Sequence, residues 1–225
     1  MSLQIIQTKD GSSSIFNSEL NETYHSIHGA IQESRHVFIK NGLDYLFQKS
    51  QQDSISVFEV GLGTGLNVLL SLAFAIQNRV KIHYSSIDAF PIDSALAAQL
   101  NYPAYIELEN SFDYFQKIHS LAWNEKKSLH HYFDLLKIQQ TLQSFTFDKN
   151  KYGLFFFDAF APEKQPDMWQ MNVLKKVTDA LKPNGLLVTY CAKGQLRRDL
   201  LSLNLKVEKL PGPPGKREMI RAIKV

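Results

Sequence analysis

The sequence predicts an α/β fold of the Rossmann-like type, in which an N-terminal extension precedes a mostly parallel sheet of seven strands. Beyond residue 52, apolar segments of strand length alternate with segments of helical periodicity, which is typical of βαβ units. A glycine-rich turn follows the first of these strands, as in open α/β sheets that bind a ligand at that point. We therefore predict an extension over residues 1–52 and one α/β domain over residues 53–225.

Each predicted strand is an apolar or aromatic run that ends at a turn or a polar residue. The seven strands are Ser54–Val60, Val80–Ile87, Leu129–Phe133, Tyr152–Phe157, Leu186–Cys191, Lys206–Leu210 and Glu218–Val225. Tyr152–Phe157 is apolar or aromatic nearly throughout, which is expected of a central parallel strand because both its faces are covered. Helical spacing predicts the helices Leu66–Gln77, Asp93–Leu100, Ile138–Phe145, Met168–Leu181 and Gln195–Leu203, with Asp93 as an N-cap.

Composition narrows the class of protein. The chain has 225 residues, of which 44% are apolar, and one cysteine, so we expect neither a disulfide framework nor a thiolate metal site. No apolar run is long enough to span a membrane and the N-terminus does not resemble a secretory signal, which together favour a cytoplasmic location.

From Tyr190 to Val225 there are nine Lys or Arg and three acids, a balance of +6, whereas the rest of the chain carries −3. This asymmetry favours an anionic partner, although a solvated basic surface would explain it equally well.

The glycine turn and a later carboxylate predict a nucleoside-cofactor site. Gly61, Gly63 and Gly65 follow the first strand, and glycines there let a ligand approach the backbone closely. Asp88 ends the second strand, 23 residues after Gly65, where a carboxylate can accept both ribose hydroxyls. The GxGxG spacing differs from that of dinucleotide enzymes, and no P-loop lysine follows. Glu59, directly before the turn, favours an S-adenosylmethionine-dependent methyltransferase, in which an acid at this place helps to hold the methionine end.

Two further acids follow predicted strands. Asp158 comes directly after Tyr152–Phe157 and is followed by Pro162. Oxygen atoms in such a loop can accept the N–H bonds of an amine and direct its lone pair toward a methyl group, and the carboxylate can also accept a proton. Asp134 follows the third predicted strand and is a candidate for hydrogen bonding to the adenine amino group, with a helix cap as the alternative.

Several segments resemble the methyltransferase domain of the MnmC-type tRNA 5-methylaminomethyl-2-thiouridine proteins. These segments are Tyr24–Ile39, Glu59–Asn67, Phe157–Pro162 with the following Gln165–Trp169, and Pro211–Met219, so that the resemblance spans nearly the whole chain. It implies methylation of the aminomethyl group of 5-aminomethyl-2-thiouridine at the tRNA wobble position. By the same resemblance, Asp158 and Glu33 lie beside the substrate amine, Asn67 belongs to the cofactor-binding segment, and the extension contributes to the substrate site.

The resemblance also predicts partners. Family members are typically fused to an FAD-dependent oxidoreductase, for which this chain has no room, so we expect a separate enzyme to supply the aminomethyl uridine. Arg197, Arg198, Lys216 and Arg217 are the candidates for contacts with the tRNA backbone, although the basic stretch is reduced to Gly215–Glu218 here. An exposed aromatic residue, Trp169 or Phe160, is a candidate for stacking on the wobble base. The histidines show no metal-binding pattern, and we predict no metal.

Three alternatives remain open at this point. An aminopropyl transferase of the spermidine-synthase type shares the fold and the amine nucleophile, but such an enzyme favours more acids and no basic face. A non-catalytic nucleic-acid-binding module would have no need of Glu59, Asp88 and Asp158 together. An NAD-dependent oxidoreductase is disfavoured by the spacing of the glycines.

Overall fold

An eight-stranded sheet forms the centre of the protein in a computed structural model that describes residues 3–50 and 53–225. The strands are β1 (Leu3–Gln7), β2 (Ser13–Asn17), β3 (Glu22–Thr23), β4 (Ser54–Val60), β5 (Lys81–Ile87), β6 (Lys126–His130), β7 (Phe133–Ile138), β8 (Tyr152–Phe157), β9 (Leu181–Thr189), β10 (Leu205–Pro211) and β11 (Glu218–Lys224). The first three form a small antiparallel sheet of their own, and the others form the central sheet.

The central sheet has the order β10-β11-β9-β8-β4-β5-β7-β6. Its five inner strands, β9, β8, β4, β5 and β7, run parallel, and β11, β10 and β6 are antiparallel to their neighbours. The carboxyl ends of the five parallel strands therefore meet at one edge of the sheet, where open α/β folds bind their ligands. The prediction of a mostly parallel α/β sheet is confirmed.

Helices cover both faces of this sheet, and the sheet separates the core into two apolar clusters. They are α1 (Ala30–Ser34), a π-helical segment (Arg35–Asp44), α2 (Tyr45–Ser50), α3 (Leu66–Asn78), α4 (Ser94–Ala97), α5 (Ser111–Ser120), α6 (Met171–Ala180) and α7 (Gly194–Ser202). The Asp93 side chain caps α4 by accepting a hydrogen bond from the Ala95 N–H, as predicted. No helix of the described residues is both long and apolar enough to cross a membrane.

The N-terminal region is part of the main core. The Phe38 ring packs 5.1 Å from the Phe156 ring of β8, measured between ring centroids. At Gly42 a Cβ atom would lie 3.0 Å from a methyl carbon of Val188, so the absence of a side chain lets the helical segment approach β8 and β9 closely. The predicted boundary near residue 52 therefore separates two parts of the sequence whose side chains share one apolar cluster.

The region between residues 126 and 145 departs most from the predicted elements. We predicted a single strand at Leu129–Phe133, but the chain turns at His131 and Tyr132, between β6 and β7, and this raises the strand count from seven to eight. We also predicted a helix over Ile138–Phe145, whereas β7 extends to Ile138 and a loop with turns follows. The sequence did not reveal this strand because a lysine is not expected in a buried strand. Lys137 is nevertheless buried, and its ammonium group donates to the His119 carbonyl oxygen.

Candidate active site

A large cavity lies at the carboxyl edge of the central sheet. Its volume is about 1160 Å³, which leaves room for more than one small ligand. The loops that follow β4, β5, β7 and β8 all contribute to its wall, together with residues of the N-terminal region, Tyr190 after β9 and Lys216 from the loop between β10 and β11. The topology thus brings together groups from both ends of the chain.

The glycine turn forms one wall of the cavity. Gly61, Gly63 and Gly65 have φ values of +91°, +50° and +74°, which residues with a side chain rarely adopt. A Cβ atom on Gly61 would lie 3.1 Å from the carbonyl oxygen of Asp158, and one on Gly63 would lie 3.2 Å from the Tyr24 ring. The turn therefore exposes backbone to the cavity in a conformation that specifically requires glycine.

Asp88 directly follows β5 and lies beside this turn. One carboxylate oxygen accepts a hydrogen bond from the Gly63 N–H at 2.9 Å, and the other accepts one from the Phe90 N–H at the same distance. Burial raises the pKa of Asp88. These two backbone contacts hold the carboxylate at the cavity wall, where its remaining lone pairs can accept hydrogen bonds from a ligand.

Two acids of this site, Glu59 and Asp158, are linked through the Asn67 side chain. The Asn67 amide donates to an Asp158 oxygen at 2.9 Å, and the Ser86 hydroxyl donates to Glu59 at 2.8 Å. Burial, followed by the charge of Asp158, raises the pKa of Glu59 to about 8. Burial and the charge of Glu33 raise the pKa of Asp158 to about 7, although Lys216 and the Asn67 hydrogen bond oppose this shift. Asp158 can therefore take up and release a proton near neutral pH.

Glu33 approaches Asp158 from α1. Its side chain is 7% exposed, and both its oxygens have partners: Lys216 donates to one at 2.7 Å, and the Ser26 N–H donates to the other at 2.7 Å. The Lys216 ammonium group also lies 3.6 Å from the centre of the Tyr190 ring. The structure places Lys216 in the cavity wall, and its predicted contact with tRNA phosphate stays a prediction.

Residues 108–225, slightly more than half of the chain, match the family of S-adenosyl-L-methionine-dependent methyltransferases. The chain belongs to this family. Over 91% of its length it is 27% identical to the tRNA 5-methylaminomethyl-2-thiouridine biosynthesis bifunctional protein MnmC of Leptospira interrogans, and equally to that of Methylobacillus flagellatus. The chain spans about a third, 33%, of the length of each of these two relatives. The crystal structure of MnmC2 from Aquifex aeolicus has the same fold, with a TM-score of 0.78 and 21% identity over 98% of this chain and 70% of that chain.

Family membership makes S-adenosylmethionine the cofactor of this methyltransferase, as the sequence predicted, and does not favour the NAD-dependent alternative. The cavity suits this cofactor. The glycine turn presents backbone to the cavity, and Asp88 can accept hydrogen bonds from both ribose hydroxyls. Glu59 can stabilise the cationic methionine end, since a nearby positive charge favours the ionised carboxylate. Within the described residues, the buried side-chain amide oxygen of Asn67 has no hydrogen-bond partner.

Asp134 does not lie in this cavity, so the prediction that it contacts the adenine amino group is wrong. It is the second residue of β7, near the amino end of the parallel strands. Its carboxylate accepts a hydrogen bond from Lys81 at 2.8 Å and pairs with Lys126 at 3.1 Å. The residues that follow the carboxyl end of β7 are Gln139 and Gln140, which do line the cavity and which sequence reasoning missed because it ended this strand too early.

Tyr24 and His25 bring the N-terminal region onto the glycine turn. Tyr24 packs against Gly63 and, edge to face, against Phe160 at 5.1 Å between ring centroids. The His25 Nε2 atom lies 2.6 Å from the Thr64 hydroxyl. The sequence does not reveal the contact between His25 and Thr64, because 39 residues separate the two partners and no local pattern links them.

We expect acid to destabilise the methyltransferase partly through His25. Burial lowers the pKa of His25 to about 4, whereas an unfolded histidine titrates near 6.5. Between these values the unfolded state binds more protons, so the free energy of unfolding falls as pH drops from about 6.5 to about 4. Chemical denaturation across this range should show a shallower pH slope for His25→Gln than for the unchanged protein. An unchanged slope would show that His25 is protonated in the folded state as readily as in the unfolded one. His131→Gln, at an exposed histidine, is the matched control.

The remaining predicted residues lie outside this cavity or in its rim. Trp169 is buried, with its ring 4.8 Å from Phe157 and its N–H donating to the Phe160 carbonyl oxygen, so the prediction that it stacks on a base is not supported. Phe160 is partly exposed in the wall. Arg197, Arg198 and Arg217 are exposed, the first two on α7. Several other C-terminal cations are paired with acids, among them Lys206 and Arg221 with Glu208 and Lys209 with Glu218.

Proposed function

We propose that this methyltransferase transfers a methyl group to the aminomethyl nitrogen of 5-aminomethyl-2-thiouridine at the wobble position of tRNA. The observation that carries the proposal is the position of Asp158, whose carboxylate is held by Asn67 in the wall of the cofactor cavity and has a pKa of about 7. The names of the MnmC relatives point to this nucleoside. A proton acceptor with a pKa near the working pH suits an amine substrate, which must lose a proton before it can react.

The reaction requires little covalent participation by the protein. The bound cofactor supplies an electrophilic methyl group on a positively charged sulfur. Asp158 accepts a proton from the substrate ammonium group, and its hydrogen bond to the resulting neutral amine directs the nitrogen lone pair toward the methyl carbon. With the cofactor bound, the C–N bond would form as the C–S bond breaks, and the product would be a secondary ammonium group.

We propose that the N-terminal region belongs to the substrate site. Tyr24, His25 and Glu33 all line the cavity, and Tyr24 contacts the Phe160 side chain two residues after Asp158. Arg217 and Lys193 line a smaller depression of about 360 Å³, which shares Tyr190 and Lys216 with the main cavity. We assign contacts with the tRNA backbone to Arg217 and to Arg197 and Arg198 on α7, since exposed guanidinium groups suit phosphate.

The proposed substrate also implies a functional link and a location. The aminomethyl group has to be present on the uridine before this step, so we propose that a separate enzyme supplies it. Action on tRNA is consistent with the cytoplasm, where we place the protein.

Incubation with methyl-labelled S-adenosylmethionine and tRNA that carries aminomethyl-2-thiouridine tests the proposal directly. We expect label in methylaminomethyl-2-thiouridine after digestion of the tRNA, and none with tRNA whose wobble uridine lacks the aminomethyl group. If the protein binds the cofactor but no label enters the tRNA, the proposed substrate is wrong and the assignment of the cofactor still holds. Aminopropyl transfer from decarboxylated cofactor to a small amine would then be assayed with the same preparation.

A further inference from the structure

Glu33 and Lys216 form an ion pair within the cavity wall, although 183 positions separate them in the sequence. With both its oxygens engaged by Lys216 and by the Ser26 backbone, Glu33 is poorly placed to accept a proton from a substrate. Asp158 differs, since the contact with Asn67 occupies one oxygen. The two carboxylates that sequence reasoning placed beside the amine are therefore not equivalent.

The loop between β10 and β11 places the Lys216 side chain. The Lys216 N–H donates to the Pro213 carbonyl oxygen at 2.9 Å, and the His36 Nε2 atom lies 2.7 Å from the Pro211 carbonyl oxygen. Gly215 has a φ of +86° and passes so close to the His28 ring that a Cβ atom would collide with it. The loop is thus anchored to the same N-terminal region that carries Glu33, which fixes the separation of the two charges.

Lys216 is also connected to the loop of Asp158. Its ammonium group lies over the Tyr190 ring, and the Tyr190 hydroxyl donates to the carbonyl oxygen of Ala159, the neighbour of Asp158, at 2.9 Å. A cation over an aromatic face is stabilised there, which opposes its movement away from the cavity. The lysine consequently carries a fixed positive charge between two acids.

We propose that Lys216 is a positioning residue that neutralises Glu33 and so leaves Asp158 as the one carboxylate that receives the proton of the substrate amine. This inference rests on the proposed function. With an unpaired Glu33, two anions would surround the substrate ammonium group and favour its charged, unreactive form, because nearby anions raise the pKa of an amine. The same unpaired anion would disfavour ionisation of Asp158. With the pair in place, the proton moves from nitrogen to Asp158, and the neutral amine is released for attack.

Several other groups face Asp158 and have to be held constant in a test. Glu59 on β4 and Tyr84 on β5 interact with it electrostatically, Asn67 on α3 donates to it, and Tyr190 lies after β9. His25 lies close enough to Glu33, Lys216 and Asp10 to interact with them electrostatically. Substitutions confined to Glu33 and Lys216 leave all of these side chains unchanged.

The test follows the ionisation of Asp158 by carbon-13 NMR of labelled aspartate in the protein without cofactor or tRNA, with Asp158→Asn used to assign its signal. Lys216→Met should raise the pKa of Asp158 by about one unit or more, since removal of a nearby charge has effects of this size. Glu33→Gln should lower it, and the double variant Glu33→Gln with Lys216→Met should return it close to the starting value. Lys216→Arg, which retains the positive charge, is the matched control, and thermal unfolding checks that each variant folds.

Kinetics provide the second readout. The acid limb of turnover should shift with the NMR titration, upward for Lys216→Met and back in the double variant. An unmoved Asp158 signal in Lys216→Met, or a double variant that fails to restore it, would overturn the inference. A higher KM for tRNA with a weaker salt dependence and no pKa change would assign Lys216 to phosphate binding instead. Because the NMR experiment needs no substrate, a wrong substrate assignment would leave its result unaffected.

Discussion

Asp158→Asn should lower turnover by about a thousandfold, within the range of 10²- to 10⁴-fold that a positioned proton acceptor contributes. Asparagine keeps the size of the side chain and can still accept the hydrogen bond from Asn67, but it cannot take up the proton of the amine. The affinity for S-adenosylmethionine should change by less than about threefold, which corresponds to less than about 0.7 kcal/mol. We expect so small a change because the Asp158 carboxylate interacts with the substrate amine rather than with the cofactor. Single-turnover kinetics and isothermal titration calorimetry measure the two quantities separately.

The same experiment gives a pH signature. Because burial and the charge of Glu33 raise the pKa of Asp158 to about 7, turnover of the unchanged enzyme should rise with pH through this value as the carboxylate becomes ionised. This limb should be absent in Asp158→Asn. Asp113→Asn, at an exposed acid on α5, is the matched control and should leave both the rate and the profile unchanged. Loss of cofactor binding in Asp158→Asn, with normal turnover per bound cofactor, would contradict the role assigned to Asp158.

Asp88→Ala should weaken S-adenosylmethionine binding by about a hundredfold or more. Two hydrogen bonds from ribose hydroxyls to a carboxylate contribute about 3 kcal/mol together, which corresponds to that change in Kd. The substitution also removes the acceptor for the Gly63 and Phe90 N–H groups, so the glycine turn loses an anchor. Calorimetric titration of the cofactor measures the affinity, and thermal unfolding without cofactor separates the loss of binding from a loss of folding.

Asp134→Asn is the matched comparison for Asp88. Sequence reasoning placed both acids in the cofactor site, whereas the structure places Asp134 with Lys81 and Lys126 at the other end of the strands. We therefore expect this variant to bind S-adenosylmethionine with unchanged affinity and to lose only stability. A large loss of affinity in Asp134→Asn, or normal affinity in Asp88→Ala, would show that the adenosine end of the cofactor lies elsewhere.

The sequence by itself determined the parallel α/β fold and the approximate position of the cofactor cavity. Apolar strands alternate with helical segments, and this pattern requires crossover connections that leave all carboxyl ends at one edge. The glycine turn, Asp88 and Asp158 each follow such an end directly, so their proximity followed from chain order alone. Asp134 was misplaced because the boundaries of β7 were read wrongly, and a strand shifted by a few residues moves a side chain from one edge of the sheet toward the other.

Only the tertiary structure decided which charges act on Asp158. The Glu33–Lys216 pair joins the N-terminal helical region to a hairpin loop near the C-terminus, and no periodicity or motif connects segments so far apart. The packing of the helical segment against Phe156 and Val188 brings that pair to the cavity, as does the contact of His36 with the Pro211 carbonyl. Electrostatic effects depend on distance and burial rather than on sequence separation, which is why the surroundings of Asp158 became apparent only in three dimensions.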